Sequence, residues 1–202
     1  MVYQPAEDSY LLTNILKKEL PKLIKKNLGL KFLEIGAGSG IHLLTAEKLG
    51  AKKENIFSSD INEDSVKHCN SLGYNCIKSD LFENITGKYN LIIFNPPYLP
   101  EDAEEPVDSK TTTTGGKKGD EIILKFLEQA KKHLEKESRI FLLTSSLTPK
   151  IDFEKLKYKY KELGCERLFY EQLYVWELVI WFTTIIFIYS EVIHLIWHDS
   201  PT

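Results

Sequence analysis

Asn95-Pro96-Pro97-Tyr98 directly follows the apolar run Tyr89-Asn90-Leu91-Ile92-Ile93-Phe94. Two consecutive prolines lack N–H donors and fix φ, so they cannot continue a central strand. The strand therefore ends at Asn95. Beyond it the Asn95 carboxamide and the bare Pro96 carbonyl are presented together, with the Tyr98 ring beside them. A rigid pair of acceptors next to an aromatic face suits a planar –NH2 group, either a carboxamide or the exocyclic amine of a base. A Pro-Pro turn with an ordinary turn asparagine leaves the same trace, so the upstream residues decide.

Lys31-Phe32-Leu33-Glu34-Ile35-Gly36-Ala37-Gly38-Ser39-Gly40-Ile41-His42-Leu43-Leu44 reads as a buried strand, a glycine-rich turn and a helix. Glycines let the backbone turn tightly against a ligand, and the helix start offers free N–H groups. A dinucleotide site needs Gly or Ala three positions after its second glycine. Here Gly40 comes two positions after Gly38, and Ile41 fills that place. Asn55-Ile56-Phe57-Ser58-Ser59-Asp60 reads as a second strand ending in an acid that can accept both hydroxyls of a ribose. Tyr74–Asp80 reads as a third, with Asp80 placed to accept from an adenine amine. Each acid alone is more often a helix cap or a solvated loop residue. Taken together, Glu34, Asp60, Asp80 and Asn95 fall at predicted C-terminal strand ends, the rim where open α/β sheets bind ligands.

Gly36-x-Gly38-x-Gly40 preceded by Glu34 resembles motif I of class I S-adenosylmethionine (AdoMet) methyltransferases. With Asp60, Asp80 and Asn95–Tyr98 it resembles those that modify amino groups. The opening Val2-Tyr3-Gln4-Pro5-Ala6-Glu7-Asp8-Ser9-Tyr10-Leu11-Leu12 is similar to the start of HemK-type protein-glutamine methyltransferases of the archaeal and eukaryotic branch. That resemblance implies a Rossmann-like class I methyltransferase fold, an α/β chain with a mostly parallel doubly wound sheet and an antiparallel C-terminal strand. It implies methyl transfer to the glutamine amide in the Gly-Gly-Gln motif of a class I peptide-chain release factor. It also brings a small zinc-ribbon activator subunit into view as a partner.

The same resemblance distributes roles over the residues. Glu34 and Gly36 face the methionine part of AdoMet, with Gly38 and Gly40 completing the loop. Asp60 takes the ribose with Ile61 beside the adenine, while Asp80 accepts from the adenine amine with Leu81 packed nearby. Ser9 adds a polar contact to the cofactor, a role that competes with simple N-capping of the first helix. Asn95 and the Pro96 carbonyl, supported by Pro97, hold the substrate amide, and Tyr98 stacks over it.

Such chemistry asks for no nucleophile from the protein, because a methyl carbon on a sulfonium is already activated. An amide nitrogen has its lone pair delocalised into the carbonyl, and two acceptors on its –NH2 shift density back and aim it. The proton can leave afterwards, so no dedicated general base is expected. No Ser/His/Asp arrangement stands out, and His42 falls in the first turns of the helix after the glycine loop.

A nucleic-acid amino-methyltransferase, for adenine N6 or guanine N2, is the second reading, since Asn-Pro-Pro-Tyr serves a flipped base equally well. A non-catalytic AdoMet-fold partner, or a methyltransferase for another protein, is the third. Net charge of −3 and a pI near 6.0, with lysines such as Lys17, Lys18, Lys25 and Lys26 spread over helix faces, leave no basic stripe for nucleic acid. Glu101, Asp102, Glu104, Glu105 and Asp108, in the long loop after Tyr98, would repel phosphates. That loop reads as a lid whose Gly115, Gly116 and Gly119 let the backbone hug a glycine-rich peptide, or more plainly as a solvated connector. Cys69, Cys76 and Cys165 form no C-x-x-C pair, which suits a reduced, cytoplasmic chain without a structural metal. No secretory pattern opens the sequence.

The elements that position these residues follow from periodicity. A helix is predicted over 7–27, then strands and helices alternate through Ser146. Gly119-Asp120 opens a helix with Ile122, Ile123, Phe126, Leu127, Ala130 and Leu134 on one face; Ser138–Thr144 reads as a buried strand and Phe153–Leu163 as a helix. This alternation argues for a parallel sheet, and 202 residues suffice for one core. Residues 1–180 form the expected methyltransferase domain, its N-terminal helical element being 1–27, and 181–202 an atypical apolar tail. The charge-free run Leu178–Ser190 is 13 residues long, short of the roughly 20 of a spanning helix, so no membrane anchor is expected. It reads instead as a β-prone tail that adds an edge strand or covers an apolar patch. His194-x-x-x-His198 has metal-like spacing but no third ligand nearby.

Overall fold

Apolar residues on alternate positions of each strand feed two separate cores. Phe32, Leu91, Ile93, Phe141, Leu143 and Val175 face one side, and Leu33, Ile92, Phe94, Ile140, Leu142 and Leu178 face the other. A strand buried on both faces cannot alternate apolar with polar, which is why these runs read as continuous hydrophobic segments. The structure, a computed structural model, describes residues 4–101 and 113–181. Its elements are α1 (Glu7–Lys26), β1 (Phe32–Ile35), α2 (Ile41–Lys48), β2 (Ile56–Asp60), α3 (Glu63–Ser71), β3 (Asn75–Lys78) and β4 (Tyr89–Phe94). Then follow α4 (Glu121–Ala130), β5 (Leu134–Ser145), β6 (Tyr158–Arg167) and β7 (Gln172–Ile180), with short 3₁₀ turns ahead of β2 and β5.

The strands form one seven-stranded sheet in the order β3-β2-β1-β4-β5-β7-β6. Pairing is parallel from β3 to β5. β7 enters antiparallel against β5, and β6 antiparallel against β7, so β6 again points the way β5 does. This is the doubly wound, Rossmann-like arrangement with an antiparallel C-terminal strand. Strand order reverses between β1 and β4. Crossovers leave a crevice outside the carboxyl ends of the strands at such a point.

Helices α1, α2 and α3 cover one face through Leu12, Leu16, Leu43, Ala46 and Cys69. α4 covers the other with Ile123, Phe126, Leu127 and Ala130, all fully buried. Burying each large side chain of that stripe contributes about 1.5–3 kcal/mol. Tyr158 reaches this second core from β6, and its hydroxyl donates to the Leu127 carbonyl at 2.7 Å.

The helix expected over Phe153–Leu163 is absent. A turn over 153–157 closes on Lys157 at φ 67°, and β6 starts at Tyr158. The Tyr158-Lys159-Tyr160-Lys161 stretch alternates ring and ammonium, a period-2 pattern that suits an edge strand paired along β7. The tail from residue 182, with His194 and His198, lies outside the described residues. So do residues 102–112 of the acidic loop and Val2 and Tyr3 of the opening element.

Candidate active site

The crevice predicted by the strand order is a cavity of about 350 Å³, lined from the ends of β1, β2 and β4 and from the start of α1. Its floor is the glycine loop. Gly36 and Gly38 have φ of 71° and 49°, a region costly to side-chain-bearing residues, and both line the cavity with Ala37, Ser39 and Ile41. Asp60, the last residue of β2, fastens this loop. Its Oδ2 accepts from the Gly38 N–H and its Oδ1 from the Asn62 N–H, both at 2.8 Å. Burial raises the Asp60 pKa, against these backbone donors which pull it down. Gly40 stands outside the cavity. It caps α2 at φ 74°, and a Cβ there would press on Cys69 Sγ at 3.3 Å, so its glycine serves the packing of α2 on α3.

Glu34 sits one residue before the end of β1, almost fully buried. Its Oε1 meets His42 Nδ1 at 2.6 Å, and His42 Nε2 meets the Ser9 carbonyl at 3.1 Å. Both ring nitrogens therefore face oxygen acceptors. Whichever atom holds it, one proton lies between Nδ1 and Oε1, with a second on Nε2. Burial pulls the His42 pKa down, but the Glu34 carboxylate, its hydrogen bond and the Ser9 carbonyl overcome that and leave it raised. Burial likewise raises Glu34, with His42 acting the other way. Glu34 Oε2 is buried without a partner, on a residue that lines the cavity.

Asp80 lies two residues past β3 on the rim, where Oδ2 accepts from Lys125 Nζ of α4 at 2.8 Å. Ile61 lines the mouth, half exposed. Leu81 is buried in the wall at φ 48°, with its carbonyl held by the Ser59 hydroxyl. A non-glycine residue in that left-handed region carries strain of order 1–3 kcal/mol and is held there only by its surroundings.

Asn95 follows β4 immediately, as the proline pair requires. Its Nδ2 donates to Asp8 Oδ2 at 3.0 Å, across 87 residues of sequence. Its Oδ1 is buried and has no partner. Asn95, Pro96 and Pro97 line the same cavity as Glu34 and Asp60. Tyr98 does not. Partly buried, it packs against both cores, and its carbonyl accepts from the Thr148 hydroxyl at 3.2 Å, which anchors the segment. The glycines after the acidic loop hug this segment too. A Cβ on Gly115 would lie 2.6 Å from the Pro97 carbonyl, and one on Gly119 2.7 Å from that of Tyr98. The close approach is to the chain's own backbone. Ser9 lies within the first turn of α1 and lines the cavity; the N-cap is Ala6, without a side-chain bond, so the capping reading fails.

A family model described as "Methyltransferase small domain" matches residues 9–163. A putative protein N5-glutamine methyltransferase of Methanocaldococcus jannaschii is 41% identical over 73% of this chain and 74% of its own length. Methyltransferase HEMK2 of Mus musculus is 29% identical over 71% of each chain. Among solved structures, the Mtq2–Trm112 complex of E. cuniculi superposes with a TM-score of 0.63 at 22% identity, covering 88% of this chain and 97% of that one.

The chain belongs to this methyltransferase family, in its HemK-type branch. S-adenosylmethionine is its cofactor, and the cavity has the donors and acceptors for it. The unpartnered Glu34 Oε2 is a buried acceptor suited to a donor such as the ammonium of the methionine part. Asp8, Glu34 and Asp60 give the cavity an acidic lining that favours a cationic ligand. Gly36 and Gly38 bring bare backbone to its floor, and Asp60 and Ile61 stand where β2 ends. No group of side chains that could hold a metal ion occurs among the described residues. No described helix is long and apolar enough to cross a membrane.

Three residues of this methyltransferase site escaped the sequence reading: Asp8, His42 and Lys125. A buried histidine two positions after a glycine loop carries no local sign of its partner, because Glu34 lies on another element. Asp8 was in view only as part of an opening motif.

Proposed function

We propose that this methyltransferase transfers a methyl group from AdoMet to the side-chain amide nitrogen of the glutamine in the Gly-Gly-Gln motif of a class I peptide-chain release factor. The observation that carries this reading is the Asn95 carboxamide. Its oxygen is a buried acceptor without a partner, on a residue that lines the cavity with Glu34, Gly36 and Asp60. A buried acceptor left open costs about 1–3 kcal/mol, so it is kept for a donor that arrives from outside.

A primary amide supplies that donor. AdoMet, when bound, supplies an electrophilic methyl carbon, so the chain provides position and polarity only. Asn95 Oδ1 and the Pro96 carbonyl accept the two N–H bonds of the substrate amide, which raises electron density on its nitrogen and fixes its direction. Positioning of that kind is worth on the order of 7–11 kcal/mol of barrier. Fixed dipoles also stabilise charge as it develops on nitrogen. The methylated nitrogen returns one proton to water, so no general base is required. The cofactor roles follow the rim: Ser9, Glu34, Gly36 and Gly38 for the methionine part, Asp60 and Ile61 for the ribose and base, and Asp80 with Leu81 for the adenine edge.

Support for the protein substrate comes from the M. jannaschii relative and from the acidic balance of this chain. A further relative, 28% identical, is called the eRF1 methyltransferase catalytic subunit mtq2 of Schizosaccharomyces pombe. That relative is the catalytic member of an assembly, which supports a partner subunit here; we propose a small activator of zinc-ribbon type. In this reading residues 1–180 are the catalytic domain, 181–202 are an added apolar tail, and the chain acts in the cytoplasm.

Incubation with labelled AdoMet, the release factor, its Gln→Ala variant and duplex DNA tests the substrate. Label is expected on the unmodified release factor alone; label on DNA alone, or equally on the Ala variant, discards the proposal. Asn95→Ala should abolish turnover while AdoMet affinity by calorimetry stays near that of the parent. Retained turnover would mean that the amide is held elsewhere.

A further inference from the structure

Asp8 lies in the first turn of α1, buried, far from Asn95 in sequence and in hydrogen-bond contact with it in space. Its Oδ1 accepts the backbone N–H of Ser9 at 2.6 Å, and its Oδ2 accepts Asn95 Nδ2 at 3.0 Å. Both carboxyl oxygens thus serve as acceptors toward donors on their neighbours. The Asn95 amide therefore has one acceptable orientation. Its –NH2 end must face Asp8, which leaves its oxygen, unpartnered in the protein, as the end available to a ligand in the cavity that Asn95 lines. Rotated by half a turn, Oδ1 would meet a carboxylate oxygen, and a donor would point at the incoming substrate.

We infer that Asp8 is a positioning residue that sets the polarity of the substrate clamp, making the site accept an –NH2 group. The inference rests on the proposed amide substrate and deepens it. Asp8 acts through Asn95, whose carboxamide it holds.

The near-isosteric substitution Asp8→Asn shows why the charge matters. A backbone N–H cannot rotate away, so the oxygen of the introduced carboxamide stays on the Ser9 N–H and its –NH2 turns to Asn95. Asn95 must then reverse, placing its own –NH2 in the cavity. Adding Asn95→Asp restores an acceptor. One oxygen of that carboxylate accepts from the –NH2 introduced on α1, and the other faces the substrate. The exchange is predicted to undo the damage of the single change.

The test measures kcat on the release factor, AdoMet affinity by calorimetry, and nuclear Overhauser contacts from the Asn95 –NH2 protons in the full chain. Asp8→Asn should lower kcat about 100-fold, the order of loss for a misplaced reacting group, with AdoMet affinity retained. The pair Asp8→Asn with Asn95→Asp should recover most of it. In the parent the Asn95 –NH2 protons should show contacts to α1, and in Asp8→Asn these should vanish. Wild-type turnover in Asp8→Asn, no recovery in the pair, or unchanged contacts would each overturn the inference. A merely structural Asp8 would give no rescue on exchange. If the parent does not label the release factor at all, the substrate reading falls, and the Overhauser contacts still decide the role of Asp8.

Discussion

His42→Leu removes one half of a buried ion pair, and its consequence can be worked through in protons. The folded Glu34–His42 pair holds one proton on Nε2, directed at the Ser9 carbonyl, and one between Nδ1 and Oε1. In the unfolded chain Glu34 ionises at its ordinary 4.5 and His42 loses its charge at its ordinary 6.5. Between these values both states hold the same number of protons, and the pair contributes no pH dependence. Above 6.5 the unfolded chain holds one proton fewer. The folded pair keeps a proton that free His42 gives up at 6.5, so this stabilisation is lost as pH rises above that value. The slope is about −1.4 kcal/mol per pH unit, until the folded pair releases its shared proton.

In His42→Leu a lone Glu34 stays protonated when folded and ionises at 4.5 when unfolded, so the loss starts two pH units lower. Stranding one buried partner also costs about 3–5 kcal/mol, a large share of the 5–15 kcal/mol of a typical domain. Urea unfolding at intervals from pH 5 to 9 measures this directly, with Glu34→Gln/His42→Leu as the reference that cancels other titrations. A parent whose stability relative to that reference is flat from pH 7 to 9 would refute the shared-proton account. So would a His42→Leu protein whose decline begins at the same pH as the parent's.

Gly119→Ala sets a Cβ 2.7 Å from the Tyr98 carbonyl at a φ of 89°. The left-handed backbone alone costs about 1–2 kcal/mol, and the displaced segment carries Asn95 with it, so kcat should fall more than AdoMet affinity; equal losses in both would show a general collapse instead. Tyr158→Phe deletes the hydroxyl that donates to Leu127 and leaves that carbonyl without this bond. Urea unfolding should show a loss of about 1–3 kcal/mol with kcat unchanged; an unaltered midpoint would mean that the bond contributes nothing net.

Much of the site was legible in the sequence because covalent restrictions wrote it there. Pro96-Pro97 had to end β4, so Asn95 had to stand on the rim, and it does. Glycines at 36 and 38 had to allow positive φ, and they do. The pairing of acids with strand ends placed Asp60 on β2 and Asp80 just past β3. Errors arose where two periods compete over a short stretch. Phe153–Leu163 offered helical spacing, yet its tyrosines and lysines alternate; pairing with β7 and burial of Tyr158 decided for the strand. The glycines at 115 and 119 were expected to face a peptide. Their backbone faces Pro97 and Tyr98 instead, a matter of which segment arrives first in three dimensions.

Local stereochemistry and apolar periodicity, then, determined the parallel sheet, the glycine loop and the residue that ends β4. These depend on neighbours in the chain and on a hydrophobic free energy that has no direction. The tertiary structure alone decided which way the amide points and which carboxylate keeps an open oxygen. Hydrogen bonds are directional and fail within about an ångström of misplacement. Asp8 meets Asn95, and His42 meets Glu34, only once α1, α2 and the sheet have packed.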